Sequence, residues 1–283
     1  MRKMQKISVV IPNYNQIAYL PACFDHVWYQ TWPNLEIIVV DGGSTDGTKQ
    51  WLEELPGLIE SRTLTPVLEM AEDGAVVKTS IRAYREDTHA KHPARELKII
   101  SFPEDVGRNE TYNAGFRAAT GEFCTYVVGD DLPHPHMMEE LAGHLEATGA
   151  DLAYADYTVV DDAGRVLRLM RRPDYSFREC FARWFHVGVA TLHRTALHER
   201  FGLFDPRFTM ANDYAWYLKM AVGGARFSHL PRVLYSIRYH GHGPSLHAES
   251  QRLCAMAREF ERTGRDPFAA LDAAQDQGAS STK

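Results

Sequence analysis

Asp130 and Asp131 stand side by side after Glu122–Val128, a run of strand type. Two neighbouring carboxylates repel each other unless a positive group lies beside them. A divalent cation is such a group, and hard carboxylate oxygens suit Mg²⁺ or Mn²⁺. Bridged to a diphosphate, that cation would stabilise it as a leaving group. The same pair also suits a solvated turn whose Asp caps the next helix. Two earlier strand ends carry polar groups. Ile7–Ile11 runs into Pro12-Asn13-Tyr14-Asn15, and Leu35–Val40 runs into Asp41-Gly42-Gly43-Ser44. In open α/β sheets, ligands bind beyond the carboxyl ends of the strands. A ring at Tyr14 and a carboxylate at Asp41 would face one crevice, and the pairing fits a nucleobase.

Three later features could share that chemistry. Asp213 follows Asn212 at a helix start. It suits a general base within reach of a hydroxyl, and equally a helix cap. Arg108 precedes a helix and can fork onto phosphate oxygens; an exposed arginine is the plain alternative. His240 and His242 lie two residues apart in a glycine-rich loop after Arg238, where both could reach one metal or phosphate. Trp184, Phe185, Trp216 and Tyr217 offer either a sugar-stacking wall or ordinary core.

The elements that must position these groups follow from periodicity. Short β-branched runs such as Ile7–Ile11 and Leu35–Val40 suit the interior of a parallel sheet. Apolar residues at Ile17, Leu20, Phe24, Val27 and Trp28 predict an amphipathic helix between them. A second helix starts near Thr45 and is expected to stop at Pro56-Gly57. The next strands and helices are expected at 97–102, 109–119, 122–128, 136–148 and 151–160. A hairpin strand is expected at 165–171, a helix at 212–222, two strands at 226–230 and 233–239, and a last helix at 251–263. Residues 57–96 read as an insertion at the sheet edge. Within it, Leu64–Met70 reads as a strand, Ala75–Ala83 as helix or strand, and 85–95 is polar. The pattern predicts an α/β fold with a Rossmann-like, mostly parallel sheet flanked by helices and a mixed second half. One domain is expected over 1–265, made of halves 1–132 and 133–265, with a tail at 266–283.

Composition narrows the class. The chain has 283 residues, 45% hydrophobic and 24% charged, as in soluble globular proteins. A net charge of −6 gives no field to attract nucleic acid. No apolar run reaches the ~18 residues of a membrane span, and the start shows no secretory apolar region. Cys23, Cys124, Cys180 and Cys254 form no CxxC pair, so buried reduced thiols are expected rather than a zinc site. No G-x-G-x-x-G follows the first strand, which argues against a dehydrogenase.

Taken in order, these motifs resemble the family-2 glycosyltransferases of GT-A fold over about residues 5–245. The resembling stretches are the first two strand ends, Asp105–Gly115, Gly129-Asp130-Asp131, Gly202–Phe208 with Asp213, and Tyr235–Ser245. The chain departs from the family pattern at Val128, where an Asp is common, and at Asn212, where a Glu is common. Asp105 stands for an Asn and Tyr112 for an Arg.

The resemblance implies an inverting enzyme that moves a sugar from a UDP-, GDP- or dTDP-sugar to a glycan or lipid-linked acceptor, with Mn²⁺ or Mg²⁺. Asp213 would be the catalytic base. Pro12, Tyr14, Asn15, Asp41, Gly43, Arg108, Asn113, Asp130 and Arg238 would bind the donor, and Asp130, Asp131 and His240 the metal. The setting implied is bacterial surface polysaccharide or glycoconjugate synthesis in the cytoplasm, at the inner face of the membrane and without a membrane span. A nucleotidyltransferase or a non-catalytic nucleotide-sugar-binding protein shares part of this pattern.

Overall fold

The computed structural model describes residues 5–60, 64–70, 76–83, 95–240, 248–269 and 271–272, with the backbone path alone at 64–70 and 76–83. The polar stretch 85–94, His242 and the tail 275–283 lie outside the described residues. The chain runs β1 (Ile7–Asn13), α1 (Leu20–Trp28), β2 (Leu35–Asp41), α2 (Thr48–Glu60), β3 (Leu64–Met70), β4 (Val76–Ala83), β5 (Glu96–Ser101) and α3 (Arg108–Ala118). It continues through β6 (Phe123–Tyr126), β7 (Leu132–Pro133), α4 (Met137–Thr148), β8 (Leu152–Val160), β9 (Val166–Met170) and a π-helical turn at Arg178–Arg183. Then come β10 (Thr191–Arg194), α5 (Leu197–Phe201), α6 (Asn212–Val222), β11 (Phe227–Arg238) and α7 (Ala248–Thr263).

Among the described residues, nine strands form one sheet in the order β5-β2-β1-β6-β10-β8-β11-β7, with β9 added to β8. The first four are parallel, as the β-branched runs require. Alternation along them splits the core. Val9, Ile11, Ile37 and Val39 face one layer with α1 and α4. Val10, Ile38 and Val40 face the other, with α3 and α6. Gly115 lets α3 lie on the sheet, since a Cβ there would meet Val10 Cγ1 at 2.2 Å. Glu36 is buried among apolar neighbours yet fully bonded: Ser8 Oγ and Lys98 Nζ each lie at 2.5 Å, and the Thr120 amide at 2.8 Å. Those partners outweigh the burial and hold its carboxyl down at about 2.

Several expectations need adjustment. Helix α2 passes through Pro56-Gly57 to Glu60, because buried Leu55 and Ile59 anchor its last turns and the proline removes only one backbone donor. Residues 76–83 are a strand that pairs with 64–70 as a hairpin. The two strands expected at 226–239 are one irregular strand, β11. Strand β10 and helix α5 were not foreseen. Trp216 and Tyr217 are buried in the core, whereas Trp184 is exposed. The four cysteines are buried and free, as expected. Among the described residues no helix is long and apolar enough to cross a membrane.

Candidate active site

Register places the polar strand ends side by side. Asn13 of β1 pairs with Asp41 of β2, which pairs with Ser101 of β5. Beyond these ends lies a cavity of about 460 Å³. Pro12, Tyr14, Arg108, Asp130 and Asp213 line it, together with Asp105, Tyr112, Tyr126, Phe204 and Asn212.

The loops after β1 and β2 lock onto each other. Asn15 takes a left-handed backbone (φ 53°). Its amide donates to Ser44 Oγ at 2.8 Å, and its Oδ1 accepts from the Thr45 amide at 2.8 Å. Asp41 is fully buried behind the cavity, and accepts from the Ser44 amide and the Ser101 hydroxyl, both at 3.1 Å. Gly43 (φ +100°) lies where a Cβ would sit 2.1 Å from the Glu104 carbonyl oxygen. The chain after β5 therefore crosses directly over it and brings Asp105 beside Tyr14. The Asp105 charge raises the Tyr14 phenol above its usual pKa. Tyr14 itself is 44% exposed at the rim.

Helix α3 makes the next wall. Arg108 and Tyr112, one turn apart, both line the cavity. Asn109 and Asn113, also one turn apart, hold the segment that leads to α6. The Asn109 amide donates to the carbonyls of Asp205 (3.0 Å) and Phe208 (2.9 Å). Asn113 closes a ring with Phe204, donating to its carbonyl and accepting from its amide, each at 2.9 Å. Glu249 of α7 holds the same segment from outside, accepting from the amides of Met210 (2.8 Å) and Ala211 (3.0 Å).

This bracing delivers Asp213 to the cavity. It is half-buried in the first turn of α6 and accepts from the Tyr214 amide at 2.7 Å. Burial raises its pKa to about 6, while the Tyr214 and Asp213 amides and the Arg108 charge pull the other way. The N-cap position belongs to Ala211, so Asp213 is not the residue that caps this helix. Asn212 ties α6 to α3 through Asn109 Oδ1 at 2.7 Å.

Asp130 and Asp131 part company. Asp130 lines the cavity, with Oδ2 3.0 Å from His240 Nε2. Asp131 is 4% exposed and lies behind it, accepting from the Tyr235 hydroxyl (3.1 Å) and the Arg238 amide (3.0 Å). Burial first, then the charge of Asp130, pushes the Asp131 carboxyl well above the carboxylate range. The Arg238 guanidinium lies over Tyr19 and donates to the carbonyls of Asp130 (3.1 Å) and Asp162 (3.2 Å). Of the residues singled out in the sequence, Pro12, Tyr14, Arg108, Asp130 and Asp213 thus share the cavity. Asn15, Asp41, Gly43, Asn113, Asp131 and Arg238 build its surround, and His240 reaches it through Asp130. Tyr126 and Phe204 were missed. Their rings pack on Tyr112 at 5.3 and 5.1 Å, and the spacing of Tyr112 one turn after Arg108 was the available signal.

The family model described as "Glycosyl transferase family 2" matches residues 8–65 and 87–202, more than half of the chain. The chain belongs to glycosyl transferase family 2. Among curated relatives, an uncharacterized glycosyltransferase of a Nostoc strain, alr2836, is 31% identical over 136 residues, 48% of this chain and 31% of that protein. Glycosyltransferase GlyG of Streptococcus pneumoniae is 27% identical over 157 residues, 56% of this chain and 40% of its own. The chain therefore spans less than half the length of these two relatives. Among solved structures, Staphylococcus aureus TarS 1-349 in complex with UDP-GlcNAc superimposes with a TM-score of 0.63 at 20% identity, over 89% of this chain and 66% of that one. Mannosyltransferase PcManGT from Pyrobaculum calidifontis, in complex with GDP-Man and Mn²⁺, also gives 0.63 at 20% identity, over 97% and 70%. The family-2 chain has the GT-A fold that the resemblance of its motifs implied.

Proposed function

We propose that this family-2 chain transfers a sugar from a nucleotide-sugar donor, UDP-, GDP- or dTDP-linked, to an acceptor hydroxyl with inversion at the anomeric carbon. One observation carries this reading: a single cavity at the strand ends holds an aromatic rim residue, Arg108, Asp130 and a half-buried carboxylate at Asp213. In this scheme Pro12, Tyr14, Arg108 and Asp130 touch the donor. Asp41, Gly43, Asn15, Asn113 and Arg238 hold the walls that orient it. Arg108 offers its fork to phosphate oxygens.

Asp213 accepts the proton of the acceptor hydroxyl. The freed oxygen lone pair attacks the anomeric carbon from the face opposite the diphosphate. The bond from that carbon to the diphosphate oxygen breaks, and its electron pair leaves with the diphosphate. A single displacement of this kind inverts configuration. A base pKa near 6 keeps Asp213 ionised at neutral pH while leaving it basic enough to take the proton.

The residues fit a divalent cation. Asp130 and His240 converge at 3.0 Å at the cavity edge, and burial with the neighbouring Asp130 charge holds the Asp131 carboxyl above its ordinary range even with Arg238 beside it. Asp130 and His240 would hold Mn²⁺ or Mg²⁺, with Asp131 bracing them from behind. That ion, when bound, neutralises the departing diphosphate.

We assign residues 1–265 to one domain and extend it into the expected tail as far as Phe268 and Asp272, which respectively pack on Phe208 and pair with Arg207. A glycan or lipid-linked acceptor in bacterial surface polysaccharide synthesis, met at the cytoplasmic face of the membrane, completes the proposal. Exposed Leu167 and Leu169 flank Arg168 on edge strand β9 and support contact with a membrane surface.

The test offers nucleotide sugars, UDP-GlcNAc and GDP-Man first, with and without Mn²⁺. Binding raises the melting temperature, and the anomeric configuration of any product is read by NMR. No stabilisation by any nucleotide sugar would sink the donor assignment; a product that retains configuration would sink the inverting mechanism.

A further inference from the structure

Cys124, His193 and His198 meet in the core at the far end of β6 from the cavity just described. Cys124 and His193 are direct cross-strand partners on β6 and β10, so their side chains share one face of the sheet. His198 comes from α5 on the same side. One ligand atom from each residue lies within 4.8 Å of the other two. The imidazoles point their Nε2 atoms at each other, 2.8 Å apart.

We propose that Cys124, His193 and His198 form a binding site for a soft or borderline metal ion of the Zn²⁺ type, which staples β10 and α5 to β6.

Thiolate and imidazole are the donors Zn²⁺ prefers. Zn–N distances of about 2.0–2.1 Å put tetrahedral nitrogens about 3.3 Å apart. The two Nε2 atoms therefore need to part by about half an ångström, which a small ring rotation supplies. The rings are already aimed, because Phe116 and Trp216 pack against both imidazoles at centroid distances of 5.0–6.4 Å. Cys124 makes no strong hydrogen bond; its sulfur is 3.8 Å from the Thr125 carbonyl. His198 also lines a cavity of about 540 Å³ that includes Glu122, Thr195 and Glu199, the side from which an ion would approach.

The atoms balance simply. Burial holds both imidazoles neutral, the form that ligates, and also raises the Cys124 thiol, so the ion itself must displace that proton. On binding, the proton between the Nε2 atoms moves to Nδ1 of its own ring. The Cys124 thiol releases one proton to solvent, leaving one thiolate and two neutral imidazoles on the ion. The cysteine spacing alone had argued against zinc, because the two histidines follow 69 and 74 residues later.

Metal-stripped protein titrated with Co²⁺ tests the site. We expect a thiolate-to-cobalt charge-transfer band that saturates at one ion per chain and is displaced by Zn²⁺. Zn²⁺ should also raise the melting temperature. Cys124→Ser should lose the band, and His198→Gln should bind more than about tenfold more weakly. Asp130→Asn should keep the band, because its carboxylate belongs to the other cavity. The other cysteines are buried elsewhere, so a band that survives in Cys124→Ser would overturn the proposal. A wild-type protein that shows no thiolate band would overturn it without recourse to any variant.

Discussion

Asp213→Asn should move activity and stability in opposite directions. The side chain keeps its size, and its oxygen can still accept from the Tyr214 amide now held at 2.7 Å. The rate should fall ~10²–10⁴-fold, the usual loss for a positioned base. Stability should rise. The Asp213 pKa is about 6 in the fold against 3.8 as the reference. A carboxyl raised on folding stabilises the fold fully below its unfolded pKa and loses that contribution as pH climbs through about 6. At neutral pH the ionised group therefore costs up to about 3 kcal/mol at 1.36 kcal/mol per unit. Partial solvent access reduces this to about 1–2 kcal/mol. Removing the charge should raise the melting temperature by ~2–6 °C at pH 7.5 and leave it little changed at pH 4. Donor affinity should hold, because the base serves the acceptor. The rate profile of the wild type should lose activity below about pH 6, and the Asn variant should lack that limb. Calorimetric melting at two pH values and a transfer assay with the natural substrates read all of this. Transfer by Asp213→Asn close to wild type, or a variant that melts lower at neutral pH, would refute the reasoning.

Asp130→Asn should weaken nucleoside diphosphate binding in Mn²⁺ and barely change it in EDTA; equal wild-type affinity in both, by titration calorimetry, would remove the metal. Asn113→Ala leaves the Phe204 amide and carbonyl without their paired partner, so urea unfolding should report a loss of ~1–3 kcal/mol. Glu36 is held at about 2, so its contribution is present above its unfolded pKa near 4.5 and fades as pH falls towards 2. Glu36→Gln should flatten that acid limb of stability, measured by circular dichroism melts. Leu167→Glu with Leu169→Glu should reduce sedimentation with anionic vesicles while sparing the melting temperature, since both side chains are exposed.

The parallel half of the fold was legible because β1 and β2 are buried on both faces, and continuous β-branched runs have few other readings. Strand β10 was not, because four residues, Thr191–Arg194, carry no period and owe their place to β6 and β8. Site residues divide the same way. Asp213 and Asp130, which line the cavity, stand in ordered motifs. Which of two adjacent aspartates lines the cavity depends on Arg238 and Tyr235, more than 100 residues away. Asn113 was expected to bind the donor, and in the structure it stands behind the cavity. Its work of holding Phe204 could not be read, because side-chain direction across 91 residues leaves no local trace. Helix α2 shows the converse: a local stop signal at Pro56 yields to the burial of Leu55 and Ile59.

Strand β10 also sets an order on folding. It fills the place between β6 and β8, the seam of the whole sheet. A chain emerging from the ribosome therefore completes β1, β2, β5 and β6 some 65 residues before the partner of β6 is made. Until then the edge of β6, with Phe123 and Tyr126, is an unpaired template of the kind that aggregates. Such long-range closure is slow, so refolding should depend on protein concentration. A chain ended near residue 150 should collect in inclusion bodies, while one that runs through β11, the neighbour of β8, should do so far less.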